Sequence, residues 1–172
     1  MEINYWVIFV AAIVPAVVGA LWYSPLLFGK FWQRDANLTD EKLKEANMPL
    51  LMVLSYVFSC LIAFGLMGLC NHEIGVVQLY SSLEGFDEVG SAAQTDFQNV
   101  LLRVKGLHGN SFGHGVLHGV IAAISLAFPI VAIQGMFNRK SWKSIWLHTG
   151  YWVISFAIMG GLVGKFGLTF LV

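Results

Sequence analysis

Charge is excluded from four long stretches of this chain. No Asp, Glu, Lys or Arg occurs from Ile3 to Gly29, from Ala46 to His72, from Gly106 to Asn138, or from Ser144 to Gly164. Each stretch matches or exceeds the roughly 20 residues that a helix needs to cross about 30 Å of hydrocarbon. Buried core helices of water-soluble proteins rarely run so far without a charge. The pattern therefore predicts an all-α, polytopic four-transmembrane-helix bundle, with helices near residues 5–28, 50–70, 113–137 and 144–165. Residues 1–172 read as a single integral membrane domain, with residues 71–112 as its longest extramembrane loop. In that loop Phe97, Val100, Leu101 and Val104 recur at helical spacing and predict a surface helix. Thr39 stands where it can cap a short helix in the first connection. Pro15 and Pro129 fall inside the first and third helices, where a bilayer helix kinks if neighbours satisfy the freed carbonyl.

Composition strengthens this picture. The 172 residues are 57% hydrophobic and 12% charged, about half the charge of an ordinary soluble domain. Net charge is zero, which gives no electrostatic case for nucleic acid. The first window reads as a retained helix rather than a leader peptide: only Glu2 precedes it, with no Lys or Arg, and its apolar run is longer than a leader requires. Cys60 and Cys70 lie about 15 Å apart along one helix, too far to bridge within it, and read as small apolar filler.

Basic residues set an orientation. Lys30, Arg34, Lys42, Lys44, Arg139, Lys140 and Lys143 fall in the first and third connections, leaving Arg103, Lys105 and Lys165 opposite. This asymmetry predicts cytoplasmic first and third connections and both termini outside. Trp22, Tyr23, Trp32, Trp142 and Trp146 fall at the inner boundary, and Tyr5 and Trp6 at the outer, as interfacial aromatics should.

Candidate chemistry is sparse. Small residues repeat every four positions: Ala12, Ala16 and Ala20; Ser55, Ser59 and Ala63; Gly115 and Gly119; Gly160 and Gly164. Such stripes let helix backbones approach closely, either inside one protomer or between copies. His114 and His118 are four apart and share a helix face, a spacing that suits two ligands of one metal ion. His72 and the adjacent Glu73 end the second helix on the same side, and His108 precedes the third. A metal or proton site of His72, Glu73, His114 and His118 is therefore a candidate, and interhelical hydrogen bonding is the plainer alternative. His148 lies toward the inner side and should not join them. No ionisable residue sits mid-membrane, which argues against a carboxylate-relayed transporter. No Walker loop, nucleophile elbow or HExxH is present, so no catalytic residue is assigned.

The stretch Gly19-Ala20-Leu21-Trp22-Tyr23-Ser24-Pro25-Leu26-Leu27-Phe28-Gly29-Lys30 resembles the signature of a bacterial four-helix integral membrane family catalogued as a domain of unknown function. The similarity continues through His72, Gly113–Gly119 and Gly150–Val153 to Met159-Gly160. At His148 the family more often carries a small polar residue. The resemblance implies a small multi-pass protein of the bacterial inner membrane and supplies no reaction. The leading expectation is a non-enzymatic homo-oligomer, or an accessory subunit of a larger membrane assembly, with the lipid bilayer and other membrane proteins as partners and no cofactor. The alternatives are an oligomeric pathway for small solutes or ions, and a histidine-based metal or haem protein.

Overall fold

The computed structural model describes residues 2–108 and 111–169, without the side chains of 105–108. Lys105 and His108 as side chains thus lie outside the described residues. The chain opens with strand β1 (Glu2–Ile3), which pairs antiparallel with β2 (Leu168–Thr169). This two-residue ladder ties the two ends of the chain together and is the one departure from an all-helical fold among the described residues.

The first apolar window forms two helices rather than one, α1 (Trp6–Ala11) and α2 (Val14–Trp22). Pro15 has no N–H to donate, and the chain tightens before it: Ile13 N bonds Val10 O at 3.2 Å instead of Phe9 O. Phe9 O is taken by the Tyr56 hydroxyl at 3.1 Å. The window also ends six residues earlier than the sequence pattern suggests. Pro25 disfavours helix at Ser24, and the chain turns, with Gly29 N bonding Ser24 O at 2.9 Å. A Cβ on Gly29 would meet Tyr23 O at 2.5 Å, so glycine is required there. Two short helices follow, α3 (Gly29–Asp35) and α4 (Asp40–Glu45), the latter capped by Thr39 as its sequence suggests.

Helix α5 (Met48–Cys70) is capped by Asn47. The long connection holds α6 (His72–Tyr80) and α7 (Ala92–His108). These two pack on each other through the Tyr80, Phe86 and Phe97 rings and a 2.6 Å bond from Tyr80 OH to Asp96. Helix α8 (Phe112–Ala122) continues through a π-helical stretch, Ala123–Ala127, into α9 (Phe128–Phe137). Pro129 sits just past that stretch, where its missing donor would break the α-helical ladder. Helix α10 (Trp142–Phe166) completes the bundle.

Among the described residues, three helices are long and apolar enough to cross a membrane: Met48–Cys70, Phe112–Phe137 and Trp142–Phe166. Half of the α10 span is buried, against 22% and 28% for the other two, so α10 is the central helix. The broken segment Trp6–Trp22 is shorter, about 25 Å at 1.5 Å per residue. It runs antiparallel to α10, from Ile3 beside Leu168 to Trp22, whose indole donates to Leu147 O at 3.2 Å. The outward faces are apolar, with Phe9, Val17, Phe58, Leu61, Phe64, Ile124 and Ile130 all exposed. This inversion of the soluble pattern fits a lipid surround.

Candidate functional site

Helix α8 carries two faces with different work. Gly115 and Gly119 point at α10, and no side chain fits between them. A Cβ on Gly115 would overlap the Gly160 carbonyl, and one on Gly164 would come within 2.8 Å of Gly115 Cα. Gly115, Gly119, Gly160 and Gly164 are thus engaged inside the protomer. The other small residues are less uniform. Ala12 is buried, Ala16 half-buried and Ala20 exposed, and the helix break falls between Ala11 and Val14. Ser59 and Ala63 are buried and Ser55 is exposed.

The residues preceding those glycines, His114 and His118, share the adjacent face of α8. Their ring centroids are 4.5 Å apart. Ser111 caps the helix, its hydroxyl accepting from His114 N at 3.5 Å. The third imidazole arrives because α5 stops abruptly. Asn71 is extended and 2% exposed. Its side-chain amide donates to Met67 O at 2.8 Å and to Val163 O at 3.2 Å, closing α5 and pinning the corner to α10. Cys70 Sγ reaches Gly115 O at 3.7 Å. His72 therefore does not end α5; it begins α6 and reaches over α8. Its Nε2 lies 3.0 Å from His114 Nε2, and its ring is 4.9 Å from that of His118.

All three histidines offer a ring nitrogen within 4.8 Å of the others. Nitrogens bound to one tetrahedral zinc ion at 2.0–2.1 Å stand about 3.3 Å apart. Side-chain adjustments of roughly an ångström would bring this trio to ligation distance. His114 and His118 are half-buried and His72 is exposed. Glu73 is 5% exposed and stands outside the trio. His72 and His114 lie in the first turns of α6 and α8, where the two helix dipoles each disfavour a cation by about 1 kcal/mol. Glu73, in the first turn of α6, counters one of them. Structural metal sites bind with about ten times that energy, so the dipoles do not decide the outcome.

A second polar group lies at the other end of the bundle. Lys140 Nζ pairs with Asp35 Oδ2 at 3.2 Å and donates to Asp35 O at 2.7 Å. Ser144 Oγ donates to the same carboxylate at 2.8 Å. Burial opposes ionisation of Asp35, but these hydrogen bonds and the Lys140 charge together hold its carboxyl below the usual range. His148 stands there too, its Nδ1 2.8 Å from the Tyr23 hydroxyl, well away from the three histidines. Nothing in the local sequence signals this group, because its members come from three separate segments. The closest sequence cue is position: Asp35 and Lys140 both follow the C-terminal end of a charge-free stretch.

Residues 6–164 match the family described as "Protein of unknown function (DUF1761)". No curated protein and no solved structure matches the chain.

Proposed function

The chain belongs to the DUF1761 family of proteins of unknown function, and from that premise we propose that it is a four-crossing membrane protein that holds one transition-metal ion on His72, His114 and His118. The observation that carries the reading is the convergence of three imidazole nitrogens within 4.8 Å. Neutral imidazoles suit zinc, copper, nickel or iron rather than magnesium or calcium. Haem is disfavoured, because ring nitrogens 3.0 Å apart leave no slot for a porphyrin plane between His72 and His114.

The fourth crossing in this reading is α1–α2. Its two ends are anchored beside Leu168 and Leu147 of α10 and its continuation, so it spans nearly the full length of the central helix. The basic connections then face the cytoplasm of a bacterial cell, and the histidines and termini face outward. A periplasm-active reporter fused at the C-terminus should be active and a cytoplasm-active one silent; the reverse pattern would overturn this orientation.

A homo-oligomeric or accessory role is motivated by small-residue stripes in all the apolar segments and by the scarcity of ionisable groups. The Gly115, Gly119, Gly160 and Gly164 stripes are engaged between α8 and α10, which leaves exposed Ala20 and Ser55 to support it. An oligomeric solute pathway would find no Asp, Glu, Lys or Arg inside the four charge-free stretches to line it. Isothermal titration of purified protein with zinc tests the metal reading. One ion per chain is expected, with affinity lowered at least roughly 100-fold in a His114→Ala, His118→Ala double variant. Binding that is absent, or unchanged in the double variant, would sink it.

A further inference from the structure

Between α5 and α9 the bundle holds a space shaped for an amphiphile, which begins at the Asp35–Lys140 end and reaches along the apolar span as far as Leu69. An apolar cleft of about 710 Å³ runs between α5 and the π–α9 stretch, with Gly65, Leu69, Leu126 and Ile130 on its walls. A polar cavity of about 370 Å³ lies among Asp35, Asn138, Lys140, Ser144 and His148. Both are walled by Val131, Gln134 and Trp152, so they adjoin as one space with an apolar arm and a polar end. Each volume is within the range of small-molecule sites.

The charge of the polar end narrows the occupant. Its two formal charges, Asp35 and Lys140, are already joined at 3.2 Å, and Ser144 also donates to Asp35. An anionic head would face that carboxylate, and a cationic head would face the ammonium. A neutral head that accepts hydrogen bonds meets neither penalty and finds the amide donors of Gln134 and Asn138. Trp152, at the junction, offers an aromatic face to a planar ring. Leu126 and Ile130 are exposed on the lipid side, which gives an apolar tail a way in.

We propose that this space binds a neutral, planar-headed membrane molecule of the isoprenoid quinone class, with its ring beside Trp152 and Gln134 and its tail in the cleft. The site is independent of the metal reading, and either can fail alone.

Quenching of tryptophan fluorescence by a decyl-tailed benzoquinone, in purified full-length protein, tests it. Saturation at one quinone per chain is expected, undiminished by excess phosphatidylglycerol or dodecanol. Gly65→Leu should weaken binding roughly 10-fold by occupying the cleft. A Cβ at Gly65 meets nothing within 4 Å, so an unchanged melting temperature is expected alongside. Gln134→Leu, which removes a head contact and leaves the cleft wall apolar, should weaken binding by a similar factor. Quenching that never saturates, that ignores both variants, or that phosphatidylglycerol or dodecanol abolishes would overturn the proposal.

Discussion

At the scale of single residues, the histidine cluster depends on neighbours that carry no metal chemistry. Asn71 stops α5 and swings His72 across α8, and the glycines behind His114 and His118 press α8 onto α10. The glycine contact gives a direct stability test. Gly115→Ala drives a methyl group into the Gly160 backbone, where no flexible side chain can yield. It should destabilise the fold by about 1–3 kcal/mol, as overpacking does. Gly68→Ala, whose added methyl meets nothing, should be neutral or slightly stabilising, because alanine favours helix. Reversible unfolding in mixed micelles measures both, and equal losses would contradict the close-contact account. Of this local picture, the pairing of His114 with His118 was legible, since four residues along a helix always return to one face. The arrival of His72 was legible only as to side. Its overlap with the pair needs the turn at Asn71, which depends on Val163, a residue 92 positions away.

Among elements, the two proline-containing helices depart from regular geometry in different ways. Before Pro15 the chain breaks, and Tyr56 OH supplies a bond to the stranded Phe9 carbonyl. Tyr56→Phe should therefore cost about 1 kcal/mol, the usual loss when an acceptor is left unmet; an unchanged unfolding midpoint would show that lipid-side water does the same work. Before Pro129 the helix widens into a π stretch instead. The prolines were legible as irregularities, but the sequence did not say that one would give a break and the other a π stretch. Helix α6 was not anticipated at all, because Ile74, Gly75, Val76 and Val77 are weak helix formers. Its packing against α7 outweighs that propensity.

The Asp35 link between α3 and the start of α10 carries a pH signature. Its carboxyl is held below the usual range, so the folded state releases that proton more readily than the unfolded chain. The contribution is complete above the ordinary aspartate value, near pH 4, and is lost as pH falls through the lowered folded value. With Lys140 38% exposed, it should not exceed about 1 kcal/mol. Asp35→Asn should flatten this acid-side slope, and a slope that persists in the variant would assign it elsewhere.

Across the whole molecule, the bundle separates two kinds of chemistry by the thickness of the apolar region. Three imidazoles gather at the end where β1 and β2 pair, and an ion pair with a polar cavity gathers at the other. The apolar spans between them were the most legible feature, because hydrocarbon excludes charge from any sequence that crosses it. The opposite cavity was the least legible, since Asp35 and Lys140 are 105 residues apart and each looks like an ordinary interfacial charge. Whether the three histidines ligate one metal ion is decided by X-ray absorption of the zinc-loaded protein. Three imidazole nitrogens at about 2.0–2.1 Å with an oxygen or nitrogen fourth ligand are expected. A first shell without imidazole scattering, or one containing sulfur at about 2.3 Å from the neighbouring Cys70, would contradict it.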